Sequence, residues 1–222
     1  RPANSARSPP AACRDPADPG IAFGVADQYD LGLPGRPGQS EPVWPETQMA
    51  SRRSSVVAVV MGSESDLQVM QAAVDQLKEF GIDPLVRIIS AHRTPQAAAE
   101  FAESASGNGV QVIIAAAGMA AHLAGALASR TTLPVIGVPL PAEPGLGGLD
   151  ALLSTVQMPA GIPVATMAIG KAGAKNAALF AVEILALADK ELQDRLAQFR
   201  QAQARTVADK DAAAASQTAP RP

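Results

Sequence analysis

Residues 56–66 read VVAVVMGSESD, an apolar run that passes directly into small and polar residues. The apolar part shows no polar alternation, which is typical of a central parallel strand buried on both faces. The residues that follow have the spacing of an amphipathic helix from about Ser65 to Phe80, and Gly81 is placed to end it. The segment therefore predicts a strand, a loop and a helix in succession.

The same alternation of short β-rich runs and longer helical stretches continues along the chain. Strands are predicted at 56–61, 85–89, 110–115, 134–138 and 163–169. Helices are predicted at 65–80, 94–107 and 120–129, near Asp150, and over a region from about 172 to 207. Strands joined by helices of this length need crossover connections, which make the sheet parallel. The predicted fold class is α/β, a three-layer sandwich with helices on both faces of a parallel sheet.

Composition limits the classes of function. The chain has 222 residues, 47% of them hydrophobic and 18% charged, which is enough to bury a core. The net charge of -3 offers no basic surface for nucleic acid or an anionic membrane, so a small metabolite is the expected partner. The only cysteine is Cys13 and there are two histidines, which argues against a thiolate nucleophile or a zinc site in the rest of the chain.

The two ends differ from the middle in composition. Residues 1–53 hold nine of the 19 prolines and no sustained apolar period, which predicts a disordered N-terminal extension. Met49 precedes the first predicted strand, so one hypothesis starts the native protein there; a genuine flexible extension is the alternative. Residues 208–222 are predicted as a disordered tail, leaving 54–207 as the domain. Neither a secretory nor a transit pattern is recognised, and we expect a cytoplasmic protein.

Ligands of parallel sheets bind at the carboxyl ends of the strands, which selects the loops 62–66, 90–95, 117–120 and 139–149. In the first loop, a helix N-terminus favours an anion, and Ser63 and Ser65 add hydroxyl groups. Asp66 suits the hydroxyls of a ribose. The alternative is that Ser65 or Asp66 only caps the helix.

The second loop places a cation beside a titratable ring. Arg93 can hold a phosphate with two hydrogen bonds, and His92 can act as a general acid and base near neutral pH. A structural role for His92 is the alternative. The other histidine, His122, falls inside the predicted apolar helix 120–129, and we interpret it as a packing residue.

Five segments taken together carry a resemblance to a known family. They are GSESD at 62–66, SAHRTP at 90–95, AAHL at 120–123, VQMP at 156–159 and AIGKAGA at 168–174. In this order they resemble the bacterial-type N5-carboxyaminoimidazole ribonucleotide mutases, enzymes of purine biosynthesis, over about residues 54–205. The resemblance implies a flavodoxin-like fold, a homo-octamer, no cofactor and no metal. It also implies interconversion of N5-carboxyaminoimidazole ribonucleotide and 4-carboxy-5-aminoimidazole ribonucleotide.

The resemblance assigns roles to four matching positions. It implies that His92 is the catalytic acid and base, that Arg93 binds the phosphate, and that Ser63 and Asp66 bind the phosphoribosyl part. Small residues at 115–118 are expected to form a close pocket for CO2. The predicted substrate-binding residues are Ser63, Asp66, Ser90, Arg93 and Gly118.

The chain also departs from that family. Ala116 and Met119 stand where glycine is usual, and Ala124 where proline is usual; the Met119 side chain is expected to narrow the pocket or to restrict φ. Three alternatives stay open. They are a direct carboxylase of aminoimidazole ribonucleotide, a related carboxylase of a pyridine nucleotide, and a non-catalytic nucleotide-binding paralogue.

The C-terminal region predicts assembly. Residues 172–188 are apolar around most of the helix, more than one sheet face can cover, which favours contacts between subunits. Leu192, Leu196 and Phe199 are expected to face a neighbouring subunit. We therefore expect a closed homo-oligomer, with an octamer implied by the resemblance.

Overall fold

The structure is a computed structural model, and it describes residues 56–143 and 145–218. The predicted extension over residues 1–53 and the hypothesis of a start at Met49 lie outside the described residues. The last four residues of the predicted C-terminal tail also lie outside them.

The described residues form strands and helices in regular alternation. The strands are β1 (Val57–Met61), β2 (Leu85–Ile88), β3 (Val112–Gly118), β4 (Val135–Leu140) and β5 (Ala165–Thr166). The helices are α1 (Leu67–Glu79), α2 (Pro95–Ala105), α3 (Leu123–Ala128), α4 (Leu149–Val156), α5 (Gly170–Ala186) and α6 (Lys190–Thr218). A short 3-10 helix, Glu64–Asp66, precedes α1.

The five strands form one parallel sheet in the order β2-β1-β3-β4-β5. This is the strand order of the flavodoxin-like fold, in which ligands bind where the chain reverses direction along the sheet, between β1 and β3. Met61 and Ala116 are paired in register at the carboxyl ends of these two strands. The α/β prediction is confirmed, and the sheet topology points to the edge where a site is expected.

Hydrophobic clusters cover both faces of the sheet. Val57, Val59 and Met61 pack with α1 and α5 on one face, whereas Ala58 and Val60 pack with α2 and α3 on the other. All five residues of β1 have no exposed surface, because alternate side chains of a strand point into opposite layers. The unbroken apolar run of the sequence reflects burial on both sides.

Gly137 brings α4 close to the sheet. A Cβ atom at this position would collide with Cγ2 of Thr155 in α4 and meet Cγ1 of Val164 at 3.0 Å. The missing side chain in β4 therefore lets a helix approach the strand closely.

The largest differences from the predicted strands are at the end of β3 and in the length of β5. β3 continues to Gly118, because Ala117 and Gly118 pair with Pro139 and Leu140 of β4 although alanine and glycine have low strand propensity. β5 has only two residues, where a strand over 163–169 was predicted. It is an edge strand that pairs with β4 alone. Most of the apolar segment over 163–169 therefore forms no strand pairing.

The C-terminal helix α6 corrects two expectations. Leu192, Leu196 and Phe199 were expected to face a neighbouring subunit, but they pack against the chain's own core, where the Phe199 ring meets the Phe80 ring at a centroid distance of 5.5 Å. The helix also extends to Thr218, beyond the predicted end near residue 207. Alanines at 212–215 have high helix propensity and support this extension.

None of the helices in the described part of the chain is long and apolar enough to cross a membrane.

Candidate active site

A cavity of about 370 Å³ opens at the carboxyl ends of β1 and β3. Three of the four predicted loops contribute several residues each to this cavity, and among the described residues of the fourth loop only Ala142 lines it. All six residues predicted for catalysis or substrate binding line it, namely Ser63, Asp66, Ser90, His92, Arg93 and Gly118. The geometry brings the predicted residues together, and their individual roles stay predictions.

The first loop is held by the Asp66 carboxylate. The Ser63 backbone N–H donates to Oδ2 of Asp66 at 3.0 Å, and the Ser65 hydroxyl donates to the Ser63 hydroxyl at 3.0 Å. Asp66 thus closes the turn in front of α1, and its side chain does not cap that helix. Because a carboxylate has several lone pairs on two oxygens, Asp66 can accept further hydrogen bonds from a ligand.

Burial raises the pKa of the Asp66 carboxyl above its ordinary value, because removal from water disfavours the charged form. Hydrogen bonds from the backbone of Ser63 and Gly62, and the positive charge of Arg93, oppose this rise without cancelling it. The site therefore holds a carboxylate whose charge is disfavoured by its surroundings. Such a perturbed group inside a cavity is typical of functional sites.

The second loop is locked by Ser90 and Thr94. The Thr94 hydroxyl accepts the Ser90 backbone N–H at 3.0 Å and donates to the Ser90 carbonyl at 2.9 Å. Thr94 and Pro95 begin α2 as predicted, but the Thr94 side chain does not cap the helix because it is engaged with Ser90. The contacts fix a five-residue turn that carries His92 and Arg93.

Arg93 reaches from this turn to the first loop. Its Nη2 atom donates to the Gly62 carbonyl at 2.8 Å, and its Nε atom lies 3.4 Å from the Ser90 hydroxyl, which accepts that hydrogen bond. The side chain is exposed, so a ligand can reach the rest of the guanidinium group. Among the described residues that line the cavity, Arg93 is the one arginine and no lysine is present. It is the natural position for a phosphate in this cavity.

The interpretation of His122 as a packing residue is wrong. Helix α3 begins at Leu123 and not at residue 120, because the Ala120 and Ala121 backbone forms tight turns; His122 is exposed and lines the cavity. Its Nδ1 atom lies 2.9 Å from Nε2 of His92, and the two rings meet edge to face. The sequence contained one usable signal, since His122 follows closely on the end of a strand.

The third loop supplies a wall of small side chains and one large one. Ala117 and Gly118 line the cavity, whereas Ala115 and Ala116 are buried in the two hydrophobic clusters and do not form the pocket expected for 115–118. Met119 has φ 54°, the left-handed region, which costs a residue with a side chain about 1–2 kcal/mol. Met119 therefore adopts a backbone conformation that favours glycine, and the expectation that its side chain narrows the pocket stays a prediction.

Within the described residues, no group of three or more histidine, cysteine, aspartate or glutamate side chains is placed to hold a metal ion. The described residues that line the cavity supply a guanidinium group, a carboxylate, three serine hydroxyls and two imidazoles. This set can bind a phosphorylated sugar and move a proton near neutral pH.

Comparison with known proteins places the chain. The family model described as AIR carboxylase matches residues 56–206. The chain belongs to this family. The chain is similar to the N5-carboxyaminoimidazole ribonucleotide mutase of Saccharolobus solfataricus. The two sequences are 57% identical over 64% of this chain and 89% of the relative. The Escherichia coli K12 protein of the same name is 54% identical over 70% of this chain and 92% of the relative.

Solved structures agree with the assignment to the AIR carboxylase family. The crystal structure of Treponema denticola PurE matches with a TM-score of 0.64 and 29% identity, and the match covers 70% of this chain and 96% of that one. The flavodoxin-like fold implied by the sequence is therefore confirmed.

Proposed function

We propose that this protein is an isomerase of purine biosynthesis that converts N5-carboxyaminoimidazole ribonucleotide into 4-carboxy-5-aminoimidazole ribonucleotide. The observation that carries the proposal is the meeting of His92, Arg93 and Asp66 in one cavity. Over 64% to 70% of its length, the chain is more than half identical to proteins named for this reaction. No cofactor is part of the proposal, because the reaction moves a carboxyl group and a proton within one molecule.

Substrate binding is assigned to the first two loops. Arg93 binds the phosphate, since it is the arginine of the cavity and is already oriented by Gly62 and Ser90. Asp66 accepts hydrogen bonds from the ribose hydroxyls, and Ser63 adds a hydroxyl beside it. Ser90 acts mainly by holding Arg93. Gly118 has no side chain, so the third loop can be approached closely. A Cβ at Gly118 would lie 3.2 Å from both Ala142 Cβ and the Leu140 carbonyl oxygen.

His92 is assigned the proton transfers. It protonates the carbamate nitrogen, so that the N–C bond breaks and CO2 leaves as a neutral molecule. The imidazole carbon of the substrate then attacks the same CO2, and His92 removes the proton from that carbon. One proton is given and one is taken back, so the enzyme returns to its starting state without a net change in charge.

His122 is assigned the control of the His92 proton. In a hydrogen bond between two imidazoles, one ring nitrogen donates and the other accepts. The Nδ1 atom of His122 therefore fixes whether the Nε2 atom of His92 carries a proton. His92 keeps its second ring nitrogen outside this contact. The pair therefore orients the acid and base and can share the proton between two rings.

The proposal extends to a homo-octamer with active sites near subunit boundaries. Leu192, Leu196 and Phe199 pack within the chain and do not support this assembly. The support comes from α4, where Leu149, Leu153 and Val156 are each about half exposed on one helical face. Apolar residues at this spacing favour contact with another protein surface. A cytoplasmic enzyme is the matching expectation.

The deciding experiment is an assay of the purified protein with N5-carboxyaminoimidazole ribonucleotide. Conversion to the 4-carboxy product in bicarbonate-free buffer is expected. A protein that is active only with aminoimidazole ribonucleotide and added bicarbonate is a direct carboxylase, and one that binds the ribonucleotide without turnover is a non-catalytic paralogue. Either result overturns the proposal. Light scattering on the same sample tests assembly, and a stable active monomer at micromolar concentration contradicts the octamer.

A further inference from the structure

Met119 is held in an unfavourable backbone conformation at the cavity. Among the described residues it is the only one other than glycine with a positive φ, 54°. Strained residues that persist at a cavity point to a role there, because the rest of the fold must hold them in place. The feature to explain is why this position carries a long side chain.

The surroundings of Met119 make its side chain unusual. Its neighbours Ala117, Gly118 and Ala120 are small, and Leu123, which also lines the cavity, is only 2% exposed because it belongs to the core. Met119 is 54% exposed, so it lies at the rim. It is therefore the one long apolar side chain that the cavity presents to a ligand among the described residues that line it.

Methionine is suited to covering a small molecule. Its unbranched side chain has three rotatable bonds and a polarisable sulfur, so it adapts to irregular shapes. The backbone hydrogen bond from Ala121 N–H to the Met119 carbonyl, 2.9 Å long, holds the base of the side chain in a tight turn. A fixed base and a flexible end are the properties of a small flap.

The proposed reaction contains a step at which such a flap can act, although glycine is usual at this position in the family that the chain resembles. When the N–C bond breaks, CO2 carries no charge for Arg93 to hold, and His92, Arg93 and His122 are all exposed in the single chain. Enclosure is then the main way to keep CO2 beside the carbon that must attack it. Given the proposed function, on which this inference rests, the side chains at the rim of the cavity decide whether CO2 is retained.

We propose that the Met119 side chain closes the cavity over the substrate and retains the released CO2 until the new C–C bond has formed. The residue determines how much CO2 is transferred and how much is lost to water. Transfer gives the 4-carboxy product, and loss gives aminoimidazole ribonucleotide and bicarbonate. Transfer is an isomerisation, whereas loss consumes one water molecule, which supplies the hydroxyl of bicarbonate and replaces the proton that the amine has taken up.

The test follows a substrate labelled with carbon-13 in the carboxyl group, in buffer with unlabelled bicarbonate. Wild type is compared with Met119→Ala, which removes the side chain and keeps the left-handed backbone, and with Met119→Gly, which also relieves the backbone. Met119→Leu is the matched control, because it keeps a long apolar side chain. Circular dichroism verifies that each variant unfolds cooperatively.

Wild type and Met119→Leu are expected to transfer most of the label to the product. In both small variants the ratio of released to transferred label should increase on the order of tenfold, since even a methylene-sized gap in an apolar site changes discrimination by about that factor. Equal retention in all four proteins overturns the inference. Release from Met119→Gly alone also overturns it, because backbone freedom would then be the cause. If the wild type forms no 4-carboxy product, the proposed function is wrong. If the wild type forms product but loses the label, only the role of Met119 is wrong.

Discussion

The Nε2 atom of His92 lies 2.9 Å from the Nδ1 atom of His122, so two residues 30 positions apart form one imidazole pair. A change of protonation on one ring must change the hydrogen bonding of the other, because a nitrogen that donates cannot also accept. The two histidines are therefore expected to act together, and their variants should differ in kind as well as in degree.

Replacement of His92 by asparagine should abolish turnover and leave substrate binding largely intact. The change removes the proton carrier, and loss of a general acid or base typically costs about 10²–10⁴-fold in rate. The measurement combines an activity assay with calorimetric titration of the ribonucleotide. A variant that keeps more than about a tenth of the wild-type rate would assign His92 to structure.

Replacement of His122 by alanine should lower kcat and change the shape of the pH-rate profile, with little effect on the affinity for the ribonucleotide. The loss should be smaller than the about 10²–10⁴-fold expected for His92, because His122 acts through its neighbour. His122→Asn should recover part of the rate, since an amide can again donate to or accept from His92. If His122→Ala keeps both the rate and the pH profile of the wild type, the pair has no role in proton transfer.

Replacement of Arg93 by alanine should weaken ribonucleotide binding by about 1.5–3 kcal/mol, the usual value of a hydrogen bond to a charged group. Arg93→Lys should recover only part of this, because an ammonium group lacks the two-pronged geometry. Ser90→Ala should show a smaller loss, since Gly62 still holds the guanidinium group. Titration calorimetry measures all three, and unchanged affinity in Arg93→Ala would place the phosphate elsewhere.

Replacement of Asp66 by asparagine should lower activity without lowering the free energy of unfolding at neutral pH. Burial raises the pKa of Asp66 in the folded state, so the folded protein binds this proton more tightly than the unfolded chain does. The stabilisation that comes from this bound proton is complete below the ordinary carboxyl pKa of about 3.9, and it is lost as the pH rises through the raised pKa.

At pH 7 the charged carboxylate of Asp66 therefore opposes folding. An asparagine oxygen can still accept the Ser63 N–H, so Asp66→Asn should be at least as stable as wild type, and its advantage should shrink as the pH falls towards 4. Urea unfolding at several pH values measures this. A variant that is less stable at pH 7 than wild type, with a deficit that disappears in acid, would show that the charge stabilises the fold.

Removal of α6 by truncation after Ala188 should destabilise the chain itself. The truncation uncovers Phe80 and removes Leu192, Leu196 and Phe199, so a loss on the order of 3 kcal/mol in the free energy of unfolding is expected. Truncation after Ala204 is the control, because residues 205–215 are exposed. Equal stability of the two shortened chains would mean that α6 contributes nothing to the fold.

The sheet was predictable because its signals are local. The unbroken apolar run of β1 needs burial on both faces, and Thr94 followed by Pro95 marks the start of α2 whatever the rest of the chain does. β5 was overestimated because its short length follows from pairing with β4 alone, a fact of the assembled sheet.

The site was predictable where residues follow strand ends, as His92 and Arg93 do. His122 was missed because its surroundings, Ala120, Ala121 and Leu123, have the composition of a helix, and only the tight turns after Met119 delay the start of α3. Its contact with His92 depends on the positions of β2 and β3, which lie on either side of β1 in the sheet. Such a relationship arises only when the chain is folded.

The contact of α6 with α1 also sets an order of events during synthesis. Arg195 donates to the Phe80 carbonyl at 3.0 Å across 115 residues of sequence, and the Phe199 ring covers Phe80 beside it. At about 5–20 residues per second, the ribosome needs on the order of ten seconds to make the chain between these partners. Until then the end of α1 lacks the Phe199 ring and the Arg195 hydrogen bond, so that part of its apolar surface is uncovered in the growing chain. Helix α6, which is made after α1 to α5, thus completes the hydrophobic layer that α1 begins.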